Sequence, residues 1–489
     1  MKNISLIMMS YLSLIKCTRC QAEYDANTIL SRCNKCNGPL EVIYNYDELR
    51  NWISRGEFEK RVDGIWKYVE LLPCPSSSAI TLGEGNTLLI KCEKLGRKLG
   101  LRKLYIKDET KNPTGSFMDR GSSVLITKLC EAKFSGVYGV FKGNLGASLA
   151  AYSAKAGIKC TVFISDRIDA SKIYQMIAFG ATIYPRNKMS EVKFGDKHYF
   201  ADNADPFLLE GEKTIGFEII ENLDWHLPDF IIAPMGTGGL ISAIWKAIRE
   251  FEYLDLISES KSKLIGVQSE KCSPIVDEFL LGEAREVDAG STIAVDIAFE
   301  KPSRDLEAIR ALKESSGHAF KVSDEEMLLA SMMLAKMEGV FAEPAAASTI
   351  ACVKRMIDEG ILDSSDTVIC IITGSGLKDP VAAVKELEKN LTLEKFIKLK
   401  VRMKPRLGIG STKIKILKIL TSEKLHGYEI WKKLHEIGLE ISIPAVYQHL
   451  KELEQMGLIS RGKSEVVEGR IRTYYAITSR GIELLKALT

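Results

Sequence analysis

Nothing in this chain of 489 residues reads as a membrane span, because no apolar run approaches the roughly 20 residues that cross a bilayer. Internal repeats and low-complexity tracts are also missing, which excludes solenoid and fibrous architectures. The apolar opening Met1–Ile15 lacks a small-residue cleavage site and runs straight into Cys17, so it is expected to be structural rather than a leader. Net charge is nearly absent, at +3, and by itself excludes little. The length exceeds what one hydrophobic core supports, so two or three folded domains are expected.

The charge is unevenly placed. Val401–Thr489 holds 16 Lys+Arg against 9 Asp+Glu, while the remainder holds 51 against 55. A basic tail on a mildly acidic body points to a separate module with a polyanionic partner, although a solvated lysine-rich helix pair gives the same balance. Of 11 cysteines, seven stand singly in apolar segments, the pattern of a reduced cytoplasmic protein whose lone thiols act as small hydrophobes. The other four form Cys17-x-x-Cys20 and Cys33-x-x-Cys36, twelve residues apart, each pair on a knuckle-like turn. Four unrelated buried thiols would not fall in such pairs. Thiolates at this spacing close a tetrahedron around zinc and leave no open position, so a structural zinc ribbon is expected over residues 1–46.

From about Gly83 to Lys389, short β-branched runs (Lys103–Ile106, Thr161–Ile164, Phe230–Ala233, Leu264–Val267, Thr367–Ile372) alternate with longer helical stretches. Buried strands interleaved with helices imply parallel sheets covered on both faces. Residues 47–397 are therefore expected to form two α/β lobes with a ligand site in the cleft between them. Residues 398–410, basic and containing Pro405, form an expected linker. Over 411–489 the pattern changes to three helices, a two-stranded ribbon and a last helix.

Within the body, Asn112-Pro113-Thr114-Gly115-Ser116-Phe117-Met118-Asp119-Arg120-Gly121 resembles the cofactor-attachment motif of threonine synthases, N-P-T-G-S-F-K-D-R-G, at nine of ten positions. Trp66–Pro73, Leu82-Gly83-Glu84-Gly85-Asn86-Thr87, and Glu343-Pro344-Ala345-Ala346-Ala347 are similar to further family segments in the same order. The resemblance covers about Trp66 to Lys389. It implies a two-lobed, tryptophan-synthase-β-like fold and pyridoxal 5'-phosphate as cofactor. Met235-Gly236-Thr237-Gly238-Gly239 follows an apolar strand and precedes a helix expected at Ile241–Arg249, where backbone N–H groups and the helix N-terminus suit a phosphate. Asn144 matches the family asparagine that hydrogen-bonds the cofactor's phenolic oxygen; capping a helix from about Gly146 is its other role. Thr373 matches the residue facing the pyridine nitrogen.

The departures fall on the substrate side. The position of the imine-forming lysine is Met118, whose thioether neither tethers an aldehyde nor shuttles protons. The family's S-T-G-N-T stretch, whose hydroxyls hold a substrate carboxylate, reads Phe141-Lys142-Gly143-Asn144-Leu145; A-I-R-I-G reads Ala294-Val295-Asp296-Ile297-Ala298; and Ser375 replaces a histidine. Lys142 is the evident substitute base or anion contact, the alternative being a solvated lysine.

Ser411–Thr489 resembles PadR-type winged-helix regulators through His426-Gly427-Tyr428-Glu429-Ile430 and the stretch Ser442–Ile459, with Pro444 in the first helical turn. Val446, Leu450 and Leu453 share one face; Tyr447, Gln448 and Lys451 fall toward the other. A wing carrying Arg470, Arg472, Tyr474 and Tyr475 follows. The resemblance implies DNA contact through Tyr447, Gln448, Lys451, Arg470 and Arg472, in a homodimer reading two half-sites. A winged helix used only for protein contacts is the alternative. Taken together, the expected protein is a regulator whose degenerate body senses pyridoxal phosphate, an amino acid or a phosphoamino acid. The alternative is a working threonine synthase or related lyase that uses a substitute base such as Lys142.

Overall fold

The computed structural model describes residues 11–61, 64–141, 143–164, 170–259, 261–282, 292–381, 411–467 and 470–488. The chain divides into two compact units, Met1–Glu386 and Leu387–Thr489.

The first unit begins with an antiparallel ribbon of β1 (Leu12–Cys17), β2 (Glu23–Asp25) and β3 (Leu40–Tyr44), in the order β2-β1-β3. Two parallel sheets follow. In the larger, the order is β12 (His318–Val322), β11 (Lys263–Ser269), β10 (Phe230–Pro234), β13 (Thr367–Ile372), β5 (Lys103–Asp108) and β4 (Leu89–Lys91), with only the edge strand β4 antiparallel to its neighbour. The smaller runs β8 (Thr182–Pro185), β7 (Lys159–Ile164), β6 (Gly136–Val140) and β9 (His198–Phe200), all parallel. All five residues of β10 and the last five of β13 are buried, which is why they read as unbroken apolar runs: helices cover both faces of the sheet. The ribbon is not a satellite, for Ile15, Cys17, Leu40, Val42 and Tyr44 belong to the same core as the helices of the body.

The second unit contains helix Ser411–Ile419, β14 (Leu425–His426), helices Gly427–Glu436 and Ile443–Gln455, β15 (Ile459–Val467), β16 (Arg470–Ile477) and helix Ser479–Leu488. Its sheet order is β14-β16-β15. Val446, Leu450 and Leu453 are fully buried, as their spacing predicts, against Ile416, Leu417, Ile430 and Leu434. The His-Gly-Tyr-Glu motif has a local cause. His426 Nδ1 accepts the Glu429 amide at 3.3 Å while Glu429 Oε2 accepts the His426 amide at 3.2 Å, a reciprocal cap on the second helix. The segment expected as a linker, 398–410, lies outside the described residues.

Candidate functional site

A narrow cavity of about 70 Å³ opens beyond the C-terminal ends of β10 and β13, the place where open parallel sheets collect ligands. Gly236, Thr237, Gly238 and Gly239 line one side; Met118, Asn144 and Thr373 line the other. The sequence-predicted residues of the body are thus brought to one cleft, except Lys142, which lies outside the described residues.

The glycine turn ends in a helix that starts earlier and runs further than its sequence suggests, Gly239–Tyr253. Gly238 has φ +91, and a Cβ there would meet the Arg304 carbonyl oxygen at 2.4 Å. A Cβ at Gly236 would lie 3.0 Å from the Asp296 carbonyl oxygen. Bare backbone is required by packing here, and it leaves N–H groups at a helix N-terminus facing the cavity. Arg304 backs the turn: its amide donates to the Thr237 carbonyl at 2.8 Å, and its buried guanidinium donates to the carbonyls of Leu40 and Ala204 at 2.7 Å. Glu212 also lines the cavity. Burial pushes its carboxyl up to about 8, against the pull of Arg304, so at neutral pH it is an uncharged neighbour that does not repel an anion on the turn. The sign of the resulting pH dependence follows from a folded value raised above the ordinary 4.5. Stability is lost as pH climbs from there to about 8. Glu212→Gln, which cannot ionise, is expected to melt increasingly above wild type across that window, with a gap of a few kcal/mol at about 1.4 kcal/mol per unit; a pH series of thermal melts checks it.

The Asn112–Gly121 loop is pinned along its length. Thr114 donates through its amide and hydroxyl to the Asp119 carboxylate at 2.6 and 2.7 Å, and Ser148 Oγ donates to the same group at 2.6 Å. The Phe117 amide donates to the Thr373 carbonyl and the Ser375 amide to the Gly115 carbonyl, each at 3.0 Å. Arg120, fully buried, bridges Glu109 and Glu218. Met118 opens the helix Met118–Glu131 from this rigid frame.

Asn144 does not cap its helix. That helix begins at Gly143, so Asn144 sits in its first turn and its amide reaches outward, donating to Glu343 Oε1 at 2.8 Å and Asp296 Oδ2 at 3.3 Å. Asn144 Oδ1 is buried and has no hydrogen-bond partner among the described residues, and the same holds for Ser116 Oγ. The acids Asn144 touches are paired with a residue that sequence reasoning missed. Lys172, 1% exposed, bonds Asp296 and lies 3.4 Å from Glu343 Oε2. Burial raises the Glu343 carboxyl to about 7 despite Lys172, whereas at Asp296 the pull of Lys172 outweighs burial and the carboxyl falls below its ordinary value. Close by, Lys378 donates to the Thr114 carbonyl at 2.7 Å, and burial lowers its amine to about 8. A faint signal for Lys172 existed: it is one turn from the buried Met176 on the same helix face.

In the ribbon, the four sulfurs of Cys17, Cys20, Cys33 and Cys36 lie within 4.8 Å of one another. Tight turns gather them, with Gln21 and Asn37 at φ 61 and 57. In the second unit, Tyr447, Gln448 and Lys451 are exposed on helix Ile443–Gln455. Arg472 lies on β16, paired in register with Glu465 of β15. Arg470 opens that strand, but its side chain lies outside the described residues.

A two-lobed parallel-sheet fold with a glycine turn at a helix N-terminus and a buried asparagine–acid–lysine cluster defines the class. Comparison with known proteins supplies the family. Residues 80–374 match the family model for pyridoxal-phosphate dependent enzymes, and residues 416–487 match that of the PadR-like transcriptional regulators. The threonine synthase of Methanocaldococcus jannaschii is 40% identical over 394 residues, covering 78% of this chain and 96% of that protein. The threonine synthase of Methanosarcina acetivorans is 38% identical, covering 77% and 94%. Among solved structures, the L-serine ammonia-lyase of Rhizomucor miehei superposes with a TM-score of 0.55 at 18% identity over 63% of this chain and 98% of that one. Maize serine racemase does so at 0.52 and 22%, over 62% and 93%. The chain belongs to the pyridoxal-phosphate dependent enzymes, among relatives of threonine synthase, and carries a PadR-like domain at its C-terminal end.

The residues present fit that cofactor in part. The glycine turn suits its phosphate, and the orphaned Asn144 Oδ1 leaves a polar valence for a ligand in the cavity. Met118 offers no amine.

Proposed function

We propose that this protein is a DNA-binding transcription regulator whose threonine synthase-like body no longer turns over substrate and instead senses pyridoxal phosphate, alone or with an amino acid or phosphoamino acid. The observation that carries the reading is Met118: the loop around it keeps its hydrogen bonds and the glycine turn keeps its shape, while the side chain on which the chemistry depends is a thioether. When bound, the cofactor supplies an electron sink for charge developing on an amino-acid carbon. In this chain the surrounding residues bind and orient. Gly236–Gly239 would hold the phosphate, Asn144 would hold the ring oxygen and Thr373 would face the ring nitrogen. The lost hydroxyls at Phe141 and Leu145 and the acid at Asp296 leave an amino-acid carboxylate without the contacts that turnover requires.

Output runs through the winged helix, with Tyr447, Gln448 and Lys451 entering a groove and Arg470 and Arg472 reaching the backbone, in a homodimer on paired half-sites. The ligand alters DNA affinity only by the difference in its own affinity between two states of the protein. The test is a fluorescence anisotropy titration of operator DNA with and without pyridoxal phosphate. A change in affinity is expected, and none would refute the sensor. Arg472→Ala is expected to weaken binding across sequences and to lower the salt slope by about one. The rival reading, a working threonine synthase, draws on the 40% identity. Threonine formation from O-phosphohomoserine by the purified protein at a rate typical of enzymes, a turnover of about 1 per second or more, would replace the regulator account.

The ribbon cysteines would hold a structural zinc, since four thiolates within bonding distance of one centre leave no position for a substrate.

A further inference from the structure

We propose that Lys172 is the amine through which this fold tethers an aldehyde ligand, a role moved from the loop at Met118 to the helix Ala170–Ala178. The proposal rests on the reading that the cleft takes pyridoxal phosphate, and it adds how the ligand is held.

The lysine stands behind the cavity wall, with its amine on two of the acids that line it. Its helix is docked on the Asn112–Gly121 loop, since Gln175 Nε2 donates to the Thr114 carbonyl at 3.2 Å and Ser171 Oγ donates to the Lys378 carbonyl. Its stem crosses Gly143, where a Cβ would meet Lys172 Cδ at 2.4 Å and Cε at 3.2 Å. Gly143, at φ +22, thus leaves the passage that brings the amine inward. At the inner end, the Lys172 amine and the Asn144 amide share the same two acids. Asp296 Oδ2 contacts both, and Glu343 turns one oxygen to each, 2.8 Å to Asn144 and 3.4 Å to Lys172. A ring whose phenolic oxygen rested on Asn144 would carry its aldehyde on an adjacent ring carbon, near the two acids that Asn144 and the amine share.

The same acids handle the protons. Lys172 must lose a proton to become nucleophilic. Glu343 Oε2, which has no hydrogen-bond partner among the described residues and lies 3.4 Å from the amine, is placed to take it, and burial raises the affinity of that carboxyl for a proton. The Nζ lone pair then forms a C–N bond at the aldehyde carbon. The carbonyl oxygen collects the second nitrogen proton and the one held by Glu343 and leaves as water, so amine plus aldehyde give imine plus water. Asp296 stays beside the nitrogen and stabilises its protonated form.

The experiment uses the full-length protein with one equivalent of pyridoxal phosphate. Retention is followed by equilibrium dialysis, and the sample is then reduced with borohydride, digested and mapped by mass. One pyridoxyl group per chain on the Lys172 peptide is expected. In the Lys172→Arg variant, retention should persist with loss of the reducible adduct. Retention without an adduct, or an adduct at Lys142, Lys378 or elsewhere, overturns the tether and leaves the cofactor reading standing. No retention overturns both. If the variant fails to fold, the wild-type map alone decides.

Discussion

Arg120→Leu is expected to cost about 3–5 kcal/mol of folding stability, the usual penalty for removing one partner of a buried ion pair. Arg120 has no exposed surface. It donates to Glu109 at 2.6 and 2.8 Å, to Glu218 at 2.7 and 2.9 Å, to Thr214 at 3.0 Å and to Thr87 at 3.1 Å. Leucine would leave two buried carboxylates facing each other across an apolar side chain, with only Lys107 still paired to Glu218. The damage would spread, because Glu218 also accepts the amides of Asn86 and Thr87, and Glu109 accepts Asn112 of the cofactor-motif loop. Urea denaturation measures the loss. Its pH dependence identifies the cause. Arg120 and Lys107 outweigh burial and hold the Glu218 carboxyl below the ordinary carboxylate range, so this stabilisation is present above an unfolded value of 4.5 and drains away as pH falls below it. The gap between wild type and variant should therefore narrow in acid. A gap independent of pH would mean that lost packing, not lost charge, was responsible.

Removal of the zinc proposed for the ribbon is expected to have the other large effect. In isolated zinc-finger peptides at neutral pH the metal contributes about 10–16 kcal/mol. Here the ribbon is wedged into the body: Arg19 pairs with Asp305 and Arg32 with Asp202, each at 2.7 Å, and Tyr44 Oη donates to Glu210 at 2.7 Å. Its apolar residues are shared with the main core. Chelation should therefore lower the melting temperature of the whole first unit, not of the ribbon alone, with one zinc released per chain in a colorimetric assay. Cys33→Ser should reproduce the low-melting state and be insensitive to chelator. A protein that binds no metal, or melts identically without it, would remove zinc from the account.

Much of the fold was legible because its signals are local. The strand at Thr367–Ile372 was placed from its β-branched run, and β5, β7, β10 and β11 each contained the run read from sequence, extended by one to three residues where pairing with a neighbour carries on past the apolar core. Pro444 and the Val446, Leu450, Leu453 stripe placed the third winged helix and its buried face. The helix Gly239–Tyr253 was read too short at both ends, and at its start the reason is that Gly239 is a poor helix former.

The cleft was only half visible. Its glycine turn, Asn144 and Thr373 sit in contiguous motifs, so the resemblance to threonine synthases finds them. The Lys172–Asp296–Glu343 cluster joins residues separated by 124 and 47 positions in sequence, and no local pattern relates them.

The amino-acid sequence by itself determined the parallel-sheet body, the paired cysteines, the winged helix and the methionine at position 118, because periodicity and spacing act over a few residues. Only the tertiary structure decided that Asn144 points at two acids instead of capping its helix, and that Lys172, unremarkable on its own helix, reaches the same pair. The physical reason is that burial and ion pairing depend on what distant segments bring to a point, and that point exists only once β10 and β13 lie side by side in one sheet and the helix after β6, a strand of the other sheet, has been brought to them.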